Sequence, residues 1–201
     1  MSRGFTEQEK KDLKERLVKV FVTELNTKSF SAISVEDLAN QVGIAKGSFY
    51  HFFKSKDELF AAVFNQLQDD MINESMKIAQ EDQRSPKDRL KNLIMYLVRT
   101  ISEYPWLKHL SNVEYERVFS RLGSEAKEQL QQKDLTDLSE ILKILKLKSV
   151  YSAENITIIN QIILSSALNK NDYGKNYDDS VQIMINLLVD SIFIEQEETT
   201  S

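Results

Sequence analysis

Between Gly43 and Lys56 the chain carries Lys46, Ser48, Tyr50, His51, Lys54 and Lys56, with no aspartate or glutamate among them. All of these side chains donate hydrogen bonds, and the lysines are cations at neutral pH. The chemistry open to them is non-covalent recognition of an anion, since phosphate oxygens accept from such donors and lysines displace condensed counterions. Catalytic groupings are missing from the sequence. Cysteine is absent and histidine occurs only at 51 and 109, which removes thiol chemistry and leaves too few soft ligands for a zinc or iron site. No spacing suggests a Ser-His-Asp arrangement or a glycine-rich phosphate loop, so neither an enzyme nor a cofactor or metal is expected.

The net charge of -5 runs against polyanion binding, but its distribution does not. Residues 1–60 hold 10 Lys and Arg against 9 Asp and Glu, and residues 61–201 hold 16 against 22. The acid-free run therefore lies in the half of the chain where a phosphate backbone is least repelled.

The elements that must position this run are helices. Five glycines and two prolines in 201 residues are too few for a many-turned sheet protein, and the fold class expected is all-α, with about nine helices. Thr6 followed by Glu9 forms a capping box, and Leu13, Leu17, Val20, Phe21 and Leu25 recur at helical spacing, which predicts a helix over Glu7–Leu25. Ser34 is the next N-cap; Val35, Leu38, Ala39 and Val42 give a two-turn helix that must stop at Gly43, a residue tolerant of the left-handed turn. Phe49 and Phe53 stand at i and i+4, so Lys46–Phe53 reads as a second short helix with both rings inward. Two short helices joined by a glycine turn make a helix-turn-helix. Its outer face carries Lys46, Ser48, Tyr50 and His51. Gly47 lets the backbone approach a groove edge, and the first residues of such a helix meet base edges, which assigns Lys46 and Ser48 to bases. Tyr50 and His51 are expected on phosphates, joined by Lys56 at the next helix start and Ser34 at the previous one. Phe52 either packs on the first helix or faces the phosphates.

Ser34-Val35-Glu36-Asp37-Leu38-Ala39 with Gly43-Ile44, then Lys46 to Phe53, then Lys56-Asp57-Glu58-Leu59, resembles the DNA-binding signature of the tetracycline-repressor (TetR/AcrR) family over about a third of the chain. Ala45 departs from it, since members often carry Ser or Thr there. The resemblance implies a homodimer on a palindromic double-stranded operator, a C-terminal ligand-binding domain of five or six helices, and usually repression.

Beyond the run, Ser55 and Glu58 form a second capping box opening a long helix striped with Leu59, Phe60, Val63, Phe64, Leu67 and Met71. Ser85-Pro86 starts another, whose buried face is Leu90, Leu93, Ile94, Leu97, Val98 and Ile101. Tyr104-Pro105-Trp106 interrupts, short pieces follow to Leu122, and Gly123-Ser124 restarts a helix to about Leu147. Tyr96, Trp106, His109, Tyr115, Phe119 and Tyr151 surround this irregular middle and suit a small-molecule effector pocket, the alternative being ordinary core positions. The last two helices are apolar on more than one side. That predicts either deep burial or a four-helix dimer interface; Ile158, Ile162, Leu164, Met184, Leu188 and Ile192 are the interface candidates.

The expected domains are a helix-turn-helix domain over 1–55, a helical effector and dimerisation domain over 56–195, and a frayed tail over 196–201. No stretch approaches the ~18 to 20 apolar residues of a membrane span, and Met1–Lys11 is too charged for a secretory signal. A soluble, cytoplasmic protein with no membrane partner is expected. The competing reading is a helical protein-interaction module without DNA readout, which would not need the run Gly43–Lys56.

Overall fold

A computed structural model of the chain describes residues 6–104, 106–109 and 139–196. The elements are α1 (Glu7–Leu25), a 3-10 turn (Phe30–Ala32), α2 (Val35–Val42), α3 (Lys46–Phe49), α4 (Lys56–Ala79), α5 (Pro86–Ser102) and α6 (Trp106–His109). They continue with α7 (139–144), β1 (Leu147–Ser149), α8 (Ala153–Leu168), α9 (Lys170–Tyr173), α10 (Tyr177–Ile192) and β2 (Phe193–Glu195). The described residues form two compact units, and the chain passes from one to the other inside α4, between Leu67 and Gln68, and inside α6, between Leu107 and Lys108. Residue 55, the boundary expected from sequence, is the last before α4 begins.

In the first unit, local hydrogen bonds set where helices begin. Thr6 Oγ1 accepts from the Glu9 amide at 3.2 Å and the Glu9 carboxylate accepts from the Thr6 amide at 2.7 Å. The Ser34 hydroxyl accepts from the Asp37 amide at 3.0 Å. Gly43 ends α2 at φ 77° and ψ 31°. Its amide donates to Asn40 O, and that of Ile44 donates to Ala39 O, the paired bonds of a left-handed helix terminus. Leu13, Leu17, Phe21 and Leu25 of α1 are buried with Leu38, Ala39 and Val42 of α2. The rings of Phe21, Phe30 and Phe60 meet edge to face, with centroids 5.3 to 6.5 Å apart. Each such ring pair adds about 0.5 to 1.5 kcal/mol beyond the area it buries.

Helix α3 is shorter than the periodicity predicts. It ends at Phe49, and turns replace helix to Phe53. The Phe53 amide still reaches Phe49 O at 3.1 Å. The i, i+4 relation of the two rings therefore survives, and both are buried.

The second unit buries Leu90, Leu93, Met95 and Val98 of α5 against Ile156, Ile163 and Ala167 of α8 and Val181, Ile185, Val189 and Ile192 of α10. Ser85 caps α5 by accepting from the Asp88 amide, with Pro86 opening the helix. Two features differ from the sequence reading. The helix expected to reach Leu147 stops at 144, because Lys146 adopts φ 52° and turns the chain into β1. A strand pair was also not expected: β2, which ends at Glu195, runs antiparallel to β1 with Leu147 opposite Glu195 and Ser149 opposite Phe193. Three residues are too few for a period of two to show against the surrounding helical pattern. The expected helix start at Gly123-Ser124 and the last residues of the tail lie outside the described residues.

Candidate nucleic-acid interface

Burial of Phe49 and Phe53 orients α3. Their centroids lie 6.0 Å apart, and Tyr50 meets Phe49 edge to face at 5.4 Å. Ala39 is fully buried, and its small side chain lets α3 pack close to α2. With the rings inward, Lys46, Gly47, Tyr50 and His51 are exposed and Ser48 is half-buried. The structure thus brings five of the seven expected contact residues together on α3 and the turn after it. Ser34 is exposed at the N-terminus of α2, with its hydroxyl already accepting from the helix.

Gly47 is informative because no packing among the described residues requires it. A Cβ built there meets none of their atoms within 4 Å. Gly43, by contrast, is needed for its positive φ. Ala45 precedes α3 in the N-cap position and supplies no side-chain hydrogen bond.

Two electrostatic features were not legible beforehand. The Lys46 ammonium sits 3.2 Å from the Glu36 carboxylate, both largely exposed. Glu36 is ten residues away in sequence, and no helical periodicity links residues on two different helices. Lys56 departs further from expectation. Its ammonium donates to Phe30 O at 2.6 Å and also to Ile33 O, and it lies 4.4 Å from the centre of the Phe30 ring. It is turned toward the 3-10 turn and the residue that precedes Ser34. Lys54 is exposed, and its amide donates to the Glu58 carboxylate, whose own amide donates to Ser55 Oγ.

Of the effector candidates, Trp106 is buried and Tyr96 half-buried. Tyr104 lies against Trp106, the two rings meeting edge to face at 6.3 Å. Burial pushes its phenol pKa up, helped by the negative charge of Asp70 and Glu103 and by Tyr96. Tyr151 is 58% exposed just before α8, so it does not belong with the buried aromatics. The His109 side chain, Tyr115 and Phe119 lie outside the described residues.

The interface candidates divide. Ile158 and Ile162 on α8 are 54% and 64% exposed. Leu164, Met184 and Leu188 pack partly on the core of the second unit. Ile192 is a correction: it is 5% exposed and belongs to that core. The buried stripe of α10 runs through Val181, Ile185, Val189 and Ile192, leaving Ile183 and Leu187 exposed. An open concavity of about 490 Å³ beside Ile158 and Ile162 is bordered by Ser165, Asn169 and Tyr173. Among the described residues no helix is long and apolar enough to cross a membrane.

Comparison with known proteins agrees with this geometry. Residues 22–63 match the family model for bacterial regulatory proteins of the tetR family. YerO, an uncharacterised HTH-type transcriptional regulator of Bacillus subtilis, is 35% identical over 83 residues, covering 40% of this chain and 28% of that protein. The HTH-type transcriptional repressor KstR2 of Mycolicibacterium smegmatis is 28% identical over 109 residues, covering 54% of this chain and 51% of that one. The match thus spans between about a quarter and a half of these relatives' lengths. The same fold occurs in FadR of Bacillus subtilis, solved with stearoyl-CoA, at TM-score 0.64 and 14% identity over 87% of this chain and 96% of that one. It occurs also in a TetR/AcrR-family regulator of Thermobifida fusca at TM-score 0.56 and 22% identity, over 89% and 96%. The matched segment contains α2, the Gly43 turn and α3, and over that segment the chain is similar to the tetR family of bacterial regulatory proteins.

Proposed function

We propose that this protein is a cytoplasmic transcription regulator, acting as a repressor, that binds a palindromic double-stranded operator as a homodimer and is released by a small-molecule effector. The observation that carries the reading is the outward face of α3. Lys46, Ser48, Tyr50 and His51 stand opposite buried Phe49 and Phe53, in a run without acids, around a glycine that no packing among the described residues explains. Lys46 and Ser48 address base edges, with Gly47 admitting close approach. Tyr50 and His51 hold phosphates, and the α2 N-terminus at Ser34 adds a further phosphate site. Two such helices must lie about 34 to 36 Å apart to enter successive major grooves. The uncovered side chains of α8 and α10 provide the dimer contact. Effector held near Tyr96 and Trp106 shifts α4, which contributes to both units, and changes that spacing.

A gel shift with the DNA upstream of the gene for this chain, repeated across salt concentrations, tests the reading. Sequence-selective binding that weakens steeply with salt is expected. Lys46→Ala should relax base preference, whereas Tyr50→Phe should weaken all sequences about equally. Binding that is indifferent to sequence and salt would sink the proposal.

A further inference from the structure

We infer that Lys56 is a positioning residue that locks the start of α4 to the turn preceding α2, and so sets the angle of α3; the inference rests on the DNA-binding reading above. An ammonium has three donors. Two of them are taken by Phe30 O and Ile33 O, and the Phe30 ring lies against the charge at 4.4 Å. Were Lys56 to swing out to a phosphate, these part-buried acceptors would lose their charged donor, a loss typically larger than that of a neutral hydrogen bond.

The consequences follow the chain. Ile33 immediately precedes Ser34, whose hydroxyl caps α2. Helix α2 leads through the Gly43 turn into α3, and the Gly43 and Ile44 amides fix that turn by closing onto Asn40 and Ala39. Phe30 is also held by the rings of Phe21 and Phe60. Lys56 therefore joins the first turn of α4 to the residue from which α2 and α3 are aimed. It acts on DNA affinity through the placement of Lys46 and Ser48.

The test compares wild type with Lys56→Met, Lys56→Gln and Lys56→Arg by two independent measurements. In the free protein, amide hydrogen exchange at residues 30–38 should quicken about tenfold or more in Lys56→Met and return toward wild type in Lys56→Arg. On operator DNA, at a temperature where each variant is folded, Lys56→Met should bind about tenfold more weakly, with the slope of log K against log salt unchanged and Arg restoring affinity. A slope reduced by about 0.9, the signature of one lost phosphate contact, with exchange unchanged, would overturn the inference. So would faster exchange with undiminished affinity, which marks a merely structural lysine. If Lys56→Met does not fold, Lys56→Gln, which keeps an uncharged NH2 donor group, takes its place in both measurements. Failure of the wild type to bind DNA would remove the functional reading and with it the positioning role, while unchanged exchange in the free variants would refute the lock on its own.

Discussion

At the scale of single residues, Gly47 and Gly43 are two glycines with opposite explanations. Gly43 has φ 77°, a conformation that costs an L side chain about 1 kcal/mol or more. Gly47 lies within α3, with open space where a Cβ would be. Gly47→Ala should therefore leave thermal stability unchanged or raise it, alanine being the better helix former by up to about 1 kcal/mol. Operator affinity should nonetheless fall, because the added methyl meets DNA. Melting curves and gel shifts on the same preparation check this; undiminished affinity would mean that α3 does not approach the duplex at that point. Lys46 carries a complication of the same scale. Its ion pair with Glu36 is exposed and adds little stability, so the ammonium can exchange that carboxylate for a base or phosphate.

At the scale of elements, α1 and α2 are pinned by Glu24, which pairs with Lys28 and accepts from Gln41 at 3.0 Å. The hydrogen bonds from Lys28 and then Gln41 hold its carboxyl below the usual glutamate range. A carboxyl whose folded pKa is depressed stabilises the fold above its unfolded pKa, near about 4.3, and loses that contribution as pH falls through the lower folded value. Glu24→Gln should thus narrow the loss of stability on acidification below about pH 4.3, relative to wild type. Urea midpoints measured from neutral to acid pH provide the check; parallel curves would show that the pair contributes nothing. The helix starts were legible because each depends on residues within a few positions: Thr6 with Glu9, Ser34 with Asp37, Ser85 with Asp88. The C-terminal end of α3 was not, because whether the chain past Phe49 stays helical depends on what the two rings pack against.

At the scale of the molecule, α8 and α10 each show an apolar stripe to the core and another to the outside. Ile162 is 64% exposed and Ile192 is 5% exposed, which makes the two isoleucines a matched pair. Ile162→Asp should leave the subunit folded, since its side chain is mostly in water already, but should break a homodimer, where an unpaired carboxylate would be buried. Ile192→Asp should destabilise the subunit itself, by the several kcal/mol typical of a charge placed in a core. Sedimentation velocity and circular dichroism separate the outcomes. A dimer that persists in Ile162→Asp would place the interface elsewhere.

The amino-acid sequence by itself determined the helical class, the capped helix starts, the glycine turn at 43 and the cluster Lys46, Gly47, Ser48, Tyr50 and His51 opposite two phenylalanines. All of these rest on hydrogen bonds and periodicities that span a few residues. Only the tertiary structure decided that Lys56 faces the carbonyls of Phe30 and Ile33, 26 and 23 residues earlier. The same holds for the Lys46–Glu36 pair and for the pairing of Leu147 with Glu195 to form the two-stranded sheet. It also chose Val181, Ile185, Val189 and Ile192 as the inward stripe of α10. A lysine after a helix cap reads the same whether it meets a phosphate or a carbonyl. Its partner is chosen by which distant backbone groups the folded core leaves in need of a donor.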